Sequence, residues 1–597
     1  MILSKFKRGL IAASIVSLTA CGGGASDGGT DQSAARVVTG GPAVQEPAAP
    51  IVPEPIRETR KVSGAAAPAK LMAETSSGVA PAAASHFLAQ ATFGPTAASI
   101  NALGSQSKSE WIDAQFLKPQ TLHRTYVQQV IPTLPAGTSL NQDLVFETFW
   151  KQAVTADDQL RQRVTFALSE IFVISTVDGN LTNRPIGVAS YYDMLAQYSF
   201  GNFRDLLQGV ATHPMMGLYL TYIRNQKENG MRLPDENFAR EIMQLMSIGL
   251  YQLNSDGTQK LAGGLPIPTY TRADVAGLAK VFTGWSWSGP DKTTFRFDGG
   301  APDPARDWTP MQNYPTRHST SPKSFLGVSI SGATTGEADM KLALDTLFNH
   351  PNVGPFIGRQ LIQRLVSSNP SPAYVGRVAA AFANNGAGVR GDMRAVIRAV
   401  LLDAEAADTG NSKKLREPVL RMANWLRAFN AKSVSGRYKL RWLDDTLNAI
   451  GQNPLSSPSV FNYFRPGYTP PNTALSSAGM ASPEMQITGE PSVVGYLNYM
   501  QRAIPLGGGD TFDMQPDYSA ELALAPQPAL LVDRVNLLLL GGGMSTTLRT
   551  QILGALNAII QPESNGSNAE QISTARKNRV YMAIFLTIAS PEYIAQR

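Results

Sequence analysis

Residues 157–175 read DDQLRQRVTFALSEIFVIS, and the spacing of their apolar side chains decides the expected fold. Apolar residues recur at the i, i+4 and i+7 positions that form one buried face of a helix. They are Leu160, Val164, Ala167, Ile171 and Ile174. Arg163 and Glu170 flank this stripe, and we expect them to form ion pairs with neighbouring helices rather than to catalyse a reaction. The stretch therefore predicts a buried amphipathic helix.

The same periodicity predicts a mainly-α protein from residue 85 onward. Helices are expected at 157–175, 202–223 (broken near Pro214), 235–251, 272–285, 336–349, 353–366, 373–383, 392–403, 417–429, 441–450, 529–540 and 578–589. Strands and helices do not alternate at the spacing of βαβ units, so a Rossmann-type sheet is not expected. We predict a single multi-helix globular domain over 85–597.

Two proline- and glycine-rich stretches, 286–332 and 455–492, are predicted to be long irregular loop regions. The first is compatible with a small β-hairpin or with a long loop. Long ordered loops often line functional sites, and they also wrap the bodies of helical proteins. Both roles remain open for these two stretches.

The N-terminus has the layout of an export signal. Residues 1–20, MILSKFKRGLIAASIVSLTA, place basic residues before an apolar stretch that is too short to span a bilayer. The signal ends in Leu-Thr-Ala-Cys, which resembles the lipobox of bacterial lipoproteins, and Cys21 is the one cysteine of the chain. We expect the signal to be cleaved before Cys21 and Cys21 to be acylated. Palmitate-type chains would then anchor the protein in a membrane. The alternative is an ordinary secretory signal followed by a chance cysteine.

The residue after this cysteine is Gly22 rather than aspartate. By resemblance to the sorting rules of Gram-negative bacteria, this favours the outer membrane. Residues 21–84 are rich in alanine, proline and glycine, with few aromatic residues. They predict a lipidated, disordered tether between the membrane and the helical domain.

Composition and charge exclude several classes of protein. The chain has 597 residues, is 43% hydrophobic and carries a net charge of +6. Without Lys5, Lys7 and Arg8 of the signal, the 52 basic residues become 49, which leaves +3 against 46 acidic residues. No basic stripe suits nucleic acid, so we expect no nucleic-acid partner. A single cysteine excludes an intrachain disulfide and a cysteine zinc site.

Cofactor motifs are missing from the sequence. Residues 386–391, GAGVRG, match G-x-G-x-x-G, but a helical pattern precedes them, so we interpret them as a turn with Asp392 capping the next helix. The P-loop and H-E-x-x-H patterns do not occur. We predict no cofactor-binding motif, and the sequence leaves cofactors and metal ligands undetermined.

Glu241, in PDENFAREIMQLMSIGL at 234–250, is the most informative carboxylate. On a helical wheel Phe238, Ile242, Leu245 and Gly249 form the apolar stripe, and Glu241 falls at its edge. A partly buried carboxylate either finds a partner or has a raised pKa. Glu241 is therefore expected to be a general acid/base or a cation ligand, or else half of a buried salt bridge with an arginine of another helix.

Two further residues complete the catalytic hypothesis. Asn237 lies one turn before Glu241, and His318 lies in the polar loop, where it is the histidine best placed for chemistry. In a hydrolase Glu241 would act as the acid/base, while Asn237 and His318 would orient substrate or water. This hypothesis predicts that the three side chains converge in one cleft.

Several blocks of sequence together resemble an uncharacterised family of exported bacterial proteins, the domain of unknown function 1800. The blocks are FLAQATFGPT (87–96), PDENFAREIMQLMSIGL (234–250), YTRADVAGLAKVFTGW (270–285), HPNVGPFIGRQLIQRLVSSNPSP (350–372), REPVLR (416–421) and ASPEYIAQR (589–597). The resemblance covers about residue 85 to the C-terminus. It implies a helical, exported protein without an established reaction, and an exported sulfatase-like protein as its partner.

The resemblance also marks where this chain differs from its relatives. Glu236, Asn237, Arg240 and Glu241 match the family's Asn-Glu-Asn-(Tyr/Phe)-Ala-Arg-Glu helix. Many relatives carry a glutamate and a histidine where this chain has Gln244 and Met246, and a His-Asp pair where it has His318 and Ser319. If the replaced groups are metal ligands or catalysts in the relatives, this chain has lost or changed that chemistry.

Two functions are consistent with the sequence. The first is a non-catalytic binding or scaffolding protein of the cell envelope that works with an exported sulfatase-like partner. The alternative is an extracytoplasmic hydrolase that acts on a glycan or another polymer, with Glu241 as acid/base. Whether the protein is an enzyme is left open by the sequence.

Overall fold

Helices dominate the residues that the computed structural model describes, 78–410 and 414–596. The first nine α-helices are α1 (Pro81–Ala91), α2 (Ala97–Leu103), α3 (Lys108–Leu117), α4 (His123–Val130), α5 (Asp143–Thr155), α6 (Gln159–Ser169), α7 (Pro185–Tyr198), α8 (Phe203–Thr212) and α9 (Pro214–Tyr219). The predicted break near Pro214 is confirmed, because α8 ends just before the proline that starts α9. The prediction of a mainly-α fold is confirmed as well.

The middle of the chain carries α10 (Asn237–Gln244), α11 (Arg272–Val281), α12 (Thr294–Phe297), α13 (Gly336–Asn349), α14 (Val353–Leu365), α15 (Pro372–Ala383), α16 (Met393–Leu401) and α17 (Ala404–Ala407). Side-chain caps fix several of their starts. Thr335 caps α13 and Ser371 caps α15, while Asp392 caps α16 as predicted. The GAGVRG segment before α16 is a turn, as its interpretation required.

The last part of the chain carries α18 (Pro418–Ala428), α19 (Ala474–Ser477), α20 (Glu490–Leu506), α21 (Ser519–Leu524), α22 (Pro528–Leu540), α23 (Thr546–Asn557), α24 (Ala569–Ile588) and α25 (Pro591–Ile594). Three 3-10 helices lie at Ile131–Thr133, Pro483–Ile487 and Asp510–Phe512. All described residues belong to one compact unit of the chain.

Ten short strands form five antiparallel pairs among the described residues. They are β1 (Leu261–Ala262) with β2 (Leu265–Pro266), β3 (Trp285–Ser286) with β4 (Gln312–Asn313), β5 (Lys323–Phe325) with β6 (Val328–Ile330), β7 (Lys414–Leu415) with β10 (Ala595–Gln596), and β8 (Lys432–Ser433) with β9 (Met514–Gln515). The β5–β6 hairpin lies in the first predicted loop region. The β7–β10 pair ties the C-terminal end of the chain to the segment before α18.

Several predicted helices need correction. The helix predicted over 157–175 ends at Ser169, and the helix predicted over 272–285 ends at Val281, before strand β3. Residues 441–450 form turns, because the Asp445 carboxylate accepts hydrogen bonds from the backbone N–H groups of Leu447 and Asn448 and so competes with helical bonding. The helix predicted over 235–251 ends at Gln244. Beyond it Gly249 adopts a φ of 72°, and the Ser247 hydroxyl donates to the carbonyl of Ile242.

One large apolar cluster forms the core. Trp150 of α5 and Trp425 of α18 are fully buried in it, and a second, smaller cluster lies around Tyr126 and Val127. Apolar faces from α1 to α25 share the large cluster, so helices distant in sequence are packed together. This packing positions the buried charges described below.

The predicted signal at 1–20 and most of the tether at 21–84 lie outside the described residues, which begin at 78. Helix α1 starts at Pro81, so the ordered body begins before the predicted boundary at 85. The reason is packing: Ala84 is buried, and the Ser85 hydroxyl donates to the carbonyl of Leu537 in α22. Within the described part, no helix combines the length and apolar character needed to cross a membrane.

Candidate functional site: a partnerless carboxyl on helix α10

Aromatic packing fixes the start of α10. The Phe238 ring stacks on Tyr222, with 4.1 Å between ring centroids, and meets Phe282 edge-on at 4.7 Å. The Asp235 carboxylate accepts a hydrogen bond from the backbone N–H of Asn237 and so caps the first turn. With Phe238 held in the core, Glu241 lies one turn later on a buried part of the helix.

Glu241 is only 6% exposed, and its Oε2 atom has no hydrogen-bond partner. The nearest arginine in sequence, Arg240, pairs instead with Glu236 at 3.0 Å. No ion pair joins Glu241 to an arginine of another helix within the described chain. The buried salt bridge considered for this residue is therefore not observed. Burial raises the pKa of Glu241 to about 7, and Arg240 offsets only part of this effect.

The absence of a partner sets Glu241 apart from the other buried acids. Every other buried aspartate or glutamate among residues 78–410 and 414–596 accepts a hydrogen bond or pairs with a cation: Glu147, Asp158, Glu170, Asp193, Asp339, Asp403, Glu417, Glu484, Asp513 and Glu521. Buried polar groups are normally satisfied in this way. Glu241 is therefore the buried carboxyl that has no partner in the described part of the chain.

Two tyrosines and an amide lie near this carboxyl. The Tyr270 hydroxyl donates to Gln244 Oε1 over 3.0 Å, and Gln244 follows Glu241 by one turn. Burial, followed by the charge of Glu241, raises the pKa of Tyr270 to about 12. Burial also raises the pKa of Tyr219, and Asp178 and Glu241 add to it. The tyrosines and Gln244 are half-buried, so the site combines a buried acid with a polar and aromatic rim.

Asn237 belongs to this site. It precedes Glu241 by four residues, which places both side chains on the same face of α10. Asn237 is exposed, and its Nδ2 donates to Thr221 Oγ1 over 3.4 Å. Thr221 has a left-handed backbone, with φ of 60°, and its hydroxyl also donates to Asp235. Asn237 thus presents an amide at the surface beside the buried acid.

His318 belongs to a different hydrogen-bond network. The ring is 2% exposed, with Nδ1 at 2.8 Å from the Thr283 carbonyl and Nε2 at 3.0 Å from Asp339 Oδ2. The same carboxylate pairs with Lys323 at 2.8 Å. Burial raises the pKa of Asp339, but hydrogen bonds from His318 and Lys323 more than offset this and leave it below its ordinary value. The contacts of His318 include neither Glu241 nor Asn237, so the structure does not show the predicted three-residue cleft.

The positions at which the resemblance predicts a difference from many relatives have structural roles here. Met246 is fully buried in the core, and Gln244 is held by Tyr270. The Ser319 hydroxyl donates to Glu228 Oε1 over 2.9 Å. Among the described residues, no three histidine, cysteine or acidic side chains come together as a metal site.

A small cavity lies elsewhere, between α1, α18 and the C-terminal end. It measures about 20 Å³, and Arg416 and Asn424 line it. A cavity of this size holds about one water molecule. It contains none of the three predicted site residues.

Glu417 is a buried acid that the sequence analysis did not single out. Glu417 precedes Pro418, where an acidic residue has an ordinary explanation at a helix start, yet it is 0% exposed and lies beside Glu170. The expected ion pairing of Glu170 is observed, with Arg364 of α14 at 3.7 Å. The sequence signal that could have drawn attention to Glu417 is its place inside the REPVLR block. Its burial could not be predicted from that block alone, because the residues around it come from distant segments.

The fold and this site define a mainly helical protein with a buried, unpaired acid on a short helix. The chain belongs to the family described as "Protein of unknown function (DUF1800)", which matches residues 86–595. No curated protein and no solved structure matches the chain.

Proposed function

We propose that the protein is a lipid-anchored protein of the outer membrane whose helical body binds a partner at Glu241. The anchor rests on the lipobox-like residues before Cys21, the one cysteine of the chain. The partner is an exported sulfatase-like protein, as the family resemblance implies. The function is binding or scaffolding, and the membrane contact is made through the acyl chains.

The observation that carries this proposal is the unpartnered Oε2 atom of Glu241. A buried acceptor without a donor costs about 1–3 kcal/mol, and an incoming N–H or cation removes that cost. Truncating one member of a buried charge pair at an interface typically costs about 2–5 kcal/mol. A partner donor that reaches Glu241 would therefore contribute much of the binding free energy.

The test is capture of the sulfatase-like protein by three forms of the full chain. Wild type and the control Glu236→Gln, which alters an exposed ion pair on the same helix, should capture it equally. Glu241→Gln should weaken capture by at least about 30-fold, which corresponds to the lower end of the interface cost. Failure of wild type to capture the partner, or equal capture by Glu241→Gln, would refute the proposal.

A second function is favoured by a different observation. Burial raises the pKa of Glu241 to about 7, which suits a general acid/base at neutral pH. The alternative is an extracytoplasmic hydrolase that acts on a glycan or another polymer at the Tyr219 and Tyr270 rim. Metabolites and envelope glycans of a deletion strain test it: wild type should restore them and Glu241→Gln should not. Restoration by both forms would exclude this activity.

A further inference from the structure

A cluster of buried charges lies where α6, α14 and α18 meet. Glu170 at the end of α6 is 5% exposed, and Glu417 at the start of α18 is 0% exposed. Arg163 and Arg364 lie beside them and are 1% and 4% exposed. Such groups are rarely buried unless they are paired and hydrogen-bonded. Each oxygen of the two carboxyls is therefore expected to have a hydrogen-bond partner.

Each carboxyl gives one oxygen to the same covering segment, residues 452–462, which we call the strap. Gln452 Nε2 donates to Glu417 Oε2 over 3.0 Å, and Asn462 Nδ2 donates to Glu170 Oε1 over 3.1 Å. The other two oxygens, Glu170 Oε2 and Glu417 Oε1, accept no hydrogen bond. The two carboxyls are close enough for the charge of Glu417 to raise the pKa of Glu170. The unsatisfied oxygens thus belong to two neighbouring acids.

The cations nearby do not satisfy these oxygens. Arg163 Nη2 donates to the Arg364 carbonyl over 2.6 Å, while its Nε and Nη1 have no acceptor. Arg364 Nη2 donates to the Glu170 carbonyl over 2.8 Å, and its Nε lies 3.7 Å from Glu170 Oε2. Lys414 bonds to Glu484 at 2.9 Å and to two carbonyls of α14. The charged and titratable groups that face the pair are Arg163, Arg364, Lys414, Glu484 and Tyr192.

A single proton shared by the two acids would give both free oxygens a hydrogen-bond partner. Two adjacent carboxylates in a buried site repel each other, and each leaves an acceptor without a donor. A proton on either acid makes an O–H group that donates to the other acid, so both free oxygens gain a partner. Burial, followed by the charge of Glu417, raises the pKa of Glu170 well above its ordinary value.

The strap is held in a costly backbone conformation. Leu455 and Asn462 have left-handed φ angles of 55° and 64°, which for a bulky residue such as leucine is strained. Hydrogen bonds to the segment after α6 hold it, since the Leu455 carbonyl accepts from the backbone N–H of Thr176 and Ser175 Oγ donates to the Ser457 carbonyl. We expect the strained strap to open when the hydrogen bonds that hold it weaken.

We propose that Glu170 and Glu417 hold a single proton between them and that this proton fastens the strap. When the strap opens, water reaches the pair, the O–H bond breaks, the proton passes to solvent and both carboxylates become hydrated. Opening therefore releases one proton. This makes the pair a proton-binding site that controls a segment of the protein, independently of the site at Glu241.

Infrared spectroscopy of the full chain tests the shared proton. Wild type at neutral pH should show the carbonyl stretch of a buried protonated acid, and Glu170→Gln and Glu417→Gln should each remove that same band. The measurement is made in a Glu241→Gln background, so that the acid of α10 does not contribute. If neither substitution removes the band, or only one does, the shared proton is refuted.

Hydrogen exchange tests the coupling, and its measurement on wild type does not depend on any variant folding. If opening releases one proton in wild type, a higher pH favours opening. The protection of strap amides should then fall by about tenfold for each unit by which the pH rises, relative to α14 as an internal reference. In Glu170→Gln the glutamine amide replaces the proton as a donor, so the slope should vanish. A wild-type slope near zero, or a slope that persists in the variant, overturns the proposal.

Discussion

Replacing Glu241 by glutamine should stabilise the protein, and the gain should depend on pH. The side chain is 6% exposed and has no partner among the described residues, so its charge is destabilising in the folded state. Glutamine has nearly the same shape and carries no charge at any pH. The variant therefore isolates the free-energy cost of ionising this one group.

The magnitude follows from the pKa of Glu241, which burial raises from 4.5 to about 7. Each pKa unit corresponds to about 1.4 kcal/mol, so the 2.5-unit difference (7 − 4.5) amounts to about 3 kcal/mol. Between these two values the folded state holds a proton that the unfolded state has released. The free energy of unfolding of wild type therefore falls as pH rises through this range, and the loss is complete above about pH 7.

Urea denaturation, followed by circular dichroism at a series of pH values, measures the difference between variant and wild type. Glu241→Gln should differ little near about pH 4.5 and should exceed wild type by about 3 kcal/mol near about pH 8. The control Glu236→Gln removes a half-exposed pair with Arg240 and should stay within about 1 kcal/mol of wild type. A difference that is constant with pH, or a variant less stable than wild type at pH 8, would falsify the reasoning by showing that Glu241 has a stabilising partner.

Three further changes test other parts of the structure. Cys21→Ser should move the protein from the membrane to the soluble fraction, and mass spectrometry should find acyl chains only on wild type. Phe238→Ala should lower the free energy of unfolding by about 3–5 kcal/mol, because a fully buried ring leaves a cavity; thermal denaturation measures it. Asp339→Asn should cost about 3 kcal/mol near neutral pH, because buried His318 and Lys323 lose their carboxylate. Partner capture by this variant should be unchanged at a temperature where it is folded.

Local signals placed all but one of the predicted helices correctly, although other helices of the structure, such as α5 and α7, were not predicted. Helix α13 occupies the predicted 336–349, because an apolar stripe coincides with a side-chain cap at Thr335. A capping box from Thr271 to Asp274 likewise fixes the start of α11. The prediction at 441–450 was wrong, since an aspartate at position 445 bonds the following backbone N–H groups and stops the helix. The spacing of apolar residues contains no information about that competition for backbone hydrogen bonds.

The candidate site was only partly accessible to sequence reasoning. The edge position of Glu241 on the wheel is a local property, and it correctly indicated a buried acid. The pairing of His318 with Asp339, and of Glu170 with Glu417, depends on contacts between segments 21 and 247 residues apart in sequence (339 − 318 and 417 − 170). Such partners are set by tertiary packing, so a single sequence without related sequences does not reveal them.

The pH dependence of binding distinguishes the two functions proposed for Glu241. A partner that places a cation or N–H group against the carboxylate binds the ionised form, so its affinity should rise by about tenfold per pH unit below the pKa and level off above it. A glycan oxygen that accepts a proton from Glu241 needs the neutral acid, so turnover should fall as pH rises past about 7. The two functions therefore give opposite slopes around the same pKa. Glu241→Gln should remove either slope, because the group that titrates is then absent.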